Sequence, residues 1–161
     1  MYFYQKFIMD YSLDITRKGR VILDKFLTEI PLELLNKVPK GFNNNIFWNI
    51  KHVVVTQQLL VYNLSELPMQ LTADEVAAYR KGSKAEGPVD AQAVELLRDQ
   101  LFTTLDKTHA DYNKGLFNRY NDYTVSTGTT LTSVDDALEF NNFHEGIHLG
   151  YILALKRSLG I

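Results

Sequence analysis

The sequence predicts an all-α domain, a four-helix bundle, on three observations. Apolar residues recur at helical spacing in four separate stretches. Clusters of glycine, proline and asparagine punctuate the intervals between them. Several stretches also begin on a residue whose side chain caps free amides of a first turn. Each helix then carries an apolar stripe that must leave water, and four comparable helices in 161 residues bury their stripes against one another. A chain of this length makes a single domain, residues 1–161, with a core that needs no covalent staple.

The first helix runs from about Tyr4 to Leu27, with Phe7, Tyr11, Ile15, Ile22 and Phe26 near one face. Pro31 lies just beyond it, and Pro39, Gly41 and Asn43 to Asn45 read as loop. The second helix begins near Asn44 or Asn45, either of which can cap it. It passes through Ile46, Ile50, Val54 and Leu60 to about Leu64, and Pro68 closes the region. A short helix is expected from Thr72 to Arg80, because Thr72 followed by Glu75 three residues later is a capping-box pattern.

Residues 81–88 are polar and glycine-containing, hence loop. The third long helix runs from near Asp90 to about Tyr112, with Val94, Leu97, Leu101 and Leu105 on one stripe, and Asn113-Lys114-Gly115 ends it. In the segment 116–132, Tyr123, Val125 and Thr127 alternate weakly around Gly128, which fits a short extended piece. The fourth helix starts at Ser133, with Asp135 and Asp136 at its positive end. It runs to about Ser158, with Lys156 and Arg157 at its negative end and Gly160 beyond. The connection over residues 113–132 is long for a bundle, and long loops in compact domains are often functional lids.

Composition narrows the function classes. Residues are 45% hydrophobic and 22% charged, an ordinary globular balance. There is no cysteine, which excludes disulfides, thiolate metal ligands and a cysteine nucleophile. The 17 Lys and Arg against 19 Asp and Glu leave a formal charge of −2, without a long-range field for nucleic acid or an anionic membrane. No segment is apolar enough to span a bilayer. The amino terminus lacks the pattern of a signal peptide, so a cytoplasmic location is expected by elimination.

His144-Glu145-Gly146-Ile147-His148 puts two imidazoles four apart on a helix, about 5–6 Å apart at Cβ. That spacing lets two nitrogens converge on one ion at about 2.0–2.1 Å each. The alternative is two separate surface or half-buried histidines. The string also matches the zinc-protease signature H-E-x-x-H. The 13 residues after His148 contain no histidine, aspartate or glutamate, however, so the third ligand of that chemistry is missing. His52 is the better third ligand. It sits mid-helix among core-type neighbours Trp48, Val55 and Leu59, where a buried ring must find a partner: an ion, a carbonyl or a tyrosine. His109, between Lys107 and Asp111 near the end of the third helix, is expected to face solvent or to favour the negative helix end.

Three neutral imidazoles leave an ion its full +2 charge and open coordination positions, which is the pattern of catalytic rather than structural zinc. Such an ion lowers the pKa of bound water or activates a thiolate or carbonyl. Zinc, nickel and ferrous iron all accept this ligand set. Glu145 is the candidate catalytic carboxylate, as a base for bound water or an acceptor for a ligand imidazole. Its other reading is an exposed helical glutamate. Tyr62, Gln57, Gln58, Tyr123, Tyr151 and Trp48 are candidates to line a pocket, although tyrosines in a small bundle are core-edge residues by default.

The combination of Asn49-Ile50-Lys51-His52, with Trp48 before it, and His144-Glu145-Gly146-Ile147-His148-Leu149-Gly150 resembles the DinB-like superfamily of DinB/YfiT-type metalloenzymes. The likeness covers nearly the whole chain. It implies an up-down-down-up bundle whose long connection joins helices two and three. It also implies a divalent ion, zinc or nickel most often, on His52, His144 and His148, and a homodimer. The superfamily's characterised members include transferases and isomerases that use low-molecular-weight thiols such as bacillithiol, mycothiol or glutathione. This chain departs from the pattern where members often carry Gly-Gln after the histidine pair, since Leu149-Gly150-Tyr151 follows here. No lysine or arginine cluster neighbours the histidines in the sequence to support a thiol-cofactor pocket.

Two function classes follow. One is a metal-dependent enzyme, a thiol-dependent transferase or a hydrolase, acting on a small molecule. The other is a non-enzymatic stress or small-ligand-binding protein with a structural ion. A cleft reaching the ion distinguishes the first from the second.

Overall fold

A computed structural model of the chain describes residues 2–161, with side chains from Met9 onward. It is mostly helical. The elements are α1 (Tyr2–Glu29), α2 (Leu32–Asn36), α3 (Ile46–Gln58), α4 (Ala73–Tyr79), α5 (Ala91–Asn113), β1 (Tyr123–Thr124), β2 (Thr130–Leu131) and α6 (Val134–Leu159). A π-helical turn, Leu59–Asn63, extends α3. Among the described residues no helix is long and apolar enough to cross a membrane.

The helix starts follow local chemistry. Asn45 accepts the Trp48 amide at 2.7 Å and Asp90 accepts that of Ala93 at 2.8 Å. Thr72 and Glu75 form the reciprocal capping box of α4. Ser133 caps α6, Asp135 and Asp136 lie in its first turn, and Gly160 ends it in the left-handed conformation that glycine adopts without a Cβ clash. The weak alternation around Gly128 is a small antiparallel hairpin pairing Tyr123 with Leu131 and Thr124 with Thr130. The segment between Pro31 and Pro39, for which no element was expected, contains the single turn α2.

The four long helices pack so that α1 and α3 each contact both α5 and α6. Helix α3 is the most enclosed, with 12 of its 13 residues buried. Two apolar clusters form the core. One joins Leu23, Leu27, Val53, Leu97, Leu101 and Ile152. The other joins Met9, Leu13, Val61, Leu105 and Leu138, and the hairpin lays Val125 and Leu131 against it. Along each long helix, buried polar residues separate the clusters: Thr16 and Arg20, Gln57 and Gln58, Thr104, Asn141 and Glu145.

One expected face is wrong. Tyr11, Ile15 and Ile22 are 63%, 45% and 42% exposed, and α1 instead buries Met9, Leu13, Thr16, Arg20, Leu23 and Leu27. Phe26 is buried as expected, and the side chain of Phe7 lies outside those described. The true inward face carries polar residues with partners across the bundle. Thr16 and Ser12 meet Asn142, and Arg20 meets Glu145. Apolar periodicity cannot mark a face whose buried members are partly polar.

Candidate metal centre

The site lies where α3 and α6 pack together. His144 and His148 are one turn apart on α6 and so project to the same side. His52 reaches them from the middle of α3. The ring centroids are 5.2 Å apart for His52 and His144, 4.7 Å for His52 and His148, and 4.6 Å for His144 and His148. One nitrogen from each ring lies within 4.8 Å of the other two. Ligands about 2.05 Å from a tetrahedral ion stand about 3.3 Å apart, so small side-chain rotations bring the three into a shared shell.

Hydrogen bonds orient two of the rings. His52 donates from Nδ1 to the Tyr79 carbonyl at the end of α4, 2.6 Å away. His148 donates from Nδ1 to Asn49 Oδ1 at 3.0 Å. The Asn49 amide is turned for this role, because its Nδ2 donates to the Asn45 carbonyl at 2.8 Å. Each bond places the proton on Nδ1 and leaves Nε2 as the lone-pair nitrogen, which is how ligand histidines are usually held, and that of His52 has the Thr56 hydroxyl 3.3 Å away. His144 is different. Its Nδ1 is buried and has no partner in the fold. An orphaned imidazole nitrogen between two oriented ones is costly in a closed core and fits a metal-ligating environment.

Electrostatics point the same way. Burial pushes His144 down to about 3, with His148 and His52 adding to the shift, and burial with His52 pushes His148 down to about 4. Burial also lowers His52, against the opposing hydrogen bond to Tyr79. All three rings are therefore neutral near pH 7 and offer lone pairs rather than protons.

Aromatic rings brace the cluster. Trp48 stacks on His52 with centroids 4.7 Å apart and planes 10° apart, and Phe140 lies one turn before His144 with its ring 6.5 Å away. A cleft of about 260 Å³ opens beside the histidines, reaching His52 and His144 and walled by Leu59, Leu60, Val125 and Phe140. The hairpin, from the connection expected to behave as a lid, supplies Val125 and Tyr123 to this cleft. A larger cavity of about 420 Å³ lies elsewhere, around Phe117, Tyr120 and the start of α6, and holds none of the three histidines.

Glu145 does not join the imidazoles. It is 6% exposed, and Arg20 holds its carboxylate, with Nη2 to Oε1 at 2.8 Å, while Asn141 donates to Oε1 at 2.8 Å. One residue along a helix is a rotation of about 100°, which turns Glu145 from the ligand face into the core. Neither the exposed reading nor the role of base to an ion-bound water describes this position. Of the pocket candidates, Trp48 and Tyr123 reach the site. Gln57 bonds Thr108, Gln58 bonds Gln57, and Tyr62 bonds Asp111, all in the core, while Tyr151 packs edge-on against Phe42. His109 is on the surface beside Asp10 at 2.8 Å.

Several residues beside the candidate site carry little or no signal in the sequence. Thr56, whose hydroxyl is 3.3 Å from His52 Nε2, and Phe140 each sit four residues from a candidate ligand, a spacing that could have marked them. The Tyr79 carbonyl carries no signal, since every residue has one. Lys81 lines the cleft although it is 29 residues from His52 in the chain.

The family model of the DinB superfamily matches residues 15–152, which includes all three histidines and all four long helices in large part. No curated protein matches the chain.

Proposed function

Because the chain belongs to the DinB superfamily, we propose that it is a divalent-metal-dependent enzyme acting on a small molecule, with zinc or nickel held by His52, His144 and His148. A thiol-dependent transferase is the reaction class that the family favours. The observation that carries the reading is the meeting of three neutral imidazoles from two helices, two of which, His52 and His144, line an open cleft. A structural ion would be enclosed and four-coordinate, so the cleft weighs against the non-enzymatic alternative.

When bound, the ion supplies a Lewis acid that lowers the pKa of a coordinated water or thiol. The chain's own residues do the rest. Tyr79 and Asn49 hold the tautomers of His52 and His148. Trp48 and Phe140 restrict the rings, and the apolar cleft wall keeps water from a bound substrate. Glu145 takes the part of a structural anchor for α6 through Arg20 rather than that of a base.

The topology we propose is the up-down-down-up bundle, as one domain over residues 1–161, with the long connection between α3 and α5 carrying α4. It is supported by the order of the two clusters: α1 and α6 run from the one around Met9 and Leu138 toward the one around Leu23 and Ile152, and α3 and α5 run the opposite way. A homodimer is likewise proposed, through the exposed apolar residues Tyr11, Ile15 and Ile22 of α1 and Phe143, Ile147 and Leu153 of α6.

The test is a titration of chelator-treated protein with cobalt(II), followed in the visible spectrum. The expected result is one equivalent with tetrahedral or five-coordinate bands, lost in His52→Ala and in His144→Ala. A protein that takes up no divalent ion near pH 7, or a His52→Ala variant of undiminished affinity, ends the proposal.

A further inference from the structure

The cleft beside the imidazoles has an uneven chemistry. Lys81 is the single cation among the residues that line it, and no aspartate or glutamate is present. The Lys81 ammonium has no acidic partner among the described residues. The residue is exposed, and its backbone is anchored. Lys81 follows Arg80, the residue that ends α4, and α4 is tied to α3 by the ion pair of buried Lys51 and half-buried Glu75 at 2.6 Å. Gly82 then turns the chain through a positive φ of 91°, so the segment leaves the cleft directly after presenting the lysine.

Neutral imidazoles cancel none of an ion's charge, so the loaded cleft carries +2 beside the histidines and +1 at Lys81, with Leu59, Leu60, Val125 and Phe140 as apolar wall. Such a space attracts an anion and repels a cation, and its walls favour an apolar body. Its volume of about 260 Å³ is near the lower end of ligand pockets, which run roughly 300–1,000 Å³. We infer that the cleft selects a small carboxylate with an apolar body, its carboxylate facing Lys81 and its other end reaching the ion at the His52 and His144 side of the cluster. The inference rests on the metal-dependent reading above and names the substrate class for that site. Lys81 acts in it as a specificity residue for the anionic end.

The experiment compares cobalt-loaded wild type with cobalt-loaded Lys81→Gln, Lys81→Arg and Lys81→Glu. The probes are ω-mercaptoalkanoates of increasing chain length, the matching ω-mercaptoalkanols and the matching ω-aminoalkanethiols. Binding is read from the thiolate-to-cobalt charge-transfer band. In wild type the best carboxylate should bind about fivefold more tightly than the alcohol of the same length, the advantage shrinking as salt is added. Lys81→Arg should keep that advantage and Lys81→Gln should lose it, with alcohol affinity and cobalt content unchanged. Lys81→Glu should reverse the preference toward the amine.

Cobalt spectra in every variant with equal carboxylate and alcohol affinity in wild type, or with an undiminished advantage in Lys81→Gln, would overturn the inference while leaving the metal site standing. No cobalt spectrum in any of them would overturn the metal site and the inference together.

Discussion

The Nδ1–H of His52 points at the Tyr79 carbonyl across 2.6 Å, so the end of a seven-residue helix sets the tautomer of a candidate ligand on a different element. Asn49 does the same for His148 from within α3. Removing such an oriented acceptor typically costs 10–100-fold in metal affinity. Asn49→Ala should therefore weaken binding by roughly tenfold or more, and Asn49→Asp, which keeps an acceptor, should recover most of it. Competition with a chelator of known affinity measures both. Equal affinity in Asn49→Ala and wild type would remove Asn49 from the site.

The histidines give the metal-free protein a particular pH dependence. His148 is held at about 4 and His144 at about 3, below the ordinary 6.5 of an unfolded chain. Between those values the unfolded state binds more protons, so stability falls as pH drops from 6.5 toward 4, by about 1.4 kcal/mol per pH unit for each such ring. Urea unfolding at pH 7 and pH 5 should show the loss, and His144→Ala should flatten the dependence. At lower pH a second loss is expected from Glu75. Its carboxyl is half-buried, and that desolvation opposes ionisation, but hydrogen bonds from Lys51, Gln100 and the Thr72 amide outweigh it and hold it at about 2. Its contribution is present above about 4.5 and disappears as pH falls toward 2.

Arg20 and Glu145 form a buried pair with side chains 0% and 7% exposed, and Arg20 also donates to the Leu101 carbonyl and Thr104. Arg20→Ala leaves a carboxylate uncompensated in the core and should destabilise by about 3–5 kcal/mol. The double variant Arg20→Met, Glu145→Leu should lose less than either single change. Glu145→Gln should bind metal within about twofold of wild type, since no ligand imidazole depends on it. Denaturant unfolding and cobalt titration read the two effects separately. A large loss of metal affinity in Glu145→Gln would restore this residue to the site.

Trp48 is the single tryptophan of the chain and stacks on His52. A paramagnetic ion such as nickel(II) or cobalt(II) held by that imidazole should quench its fluorescence at one equivalent, and His52→Ala should abolish the quenching. Emission unaffected by a stoichiometric ion would place the metal elsewhere.

Much of the helical frame was legible from residue to residue. Asn45, Thr72, Ser133 and Gly160 mark helix ends because capping is decided by neighbours in the chain. The α1 face was not legible. Its inward side mixes Met9 and Leu13 with Thr16 and Arg20, whose burial depends on partners more than 100 residues away, Asn142 and Glu145. Glu145 misleads for the same reason, since nothing local tells a glutamate that an arginine waits opposite.

The sequence by itself determined which imidazoles exist, that His144 and His148 share one helical face, and that no cysteine competes with them as ligand. It also placed His52 among apolar neighbours, where a ring needs a partner. Tertiary structure alone decided that α3 and α6 lie side by side with the three rings together, that the Tyr79 carbonyl orients one of them, and that Lys81 and the hairpin complete a cleft. The physical reason is range. Helix period, capping and ligand spacing are properties of a few consecutive residues, whereas a shared coordination point and the charge of a cleft arise from elements that meet only after the core has excluded water.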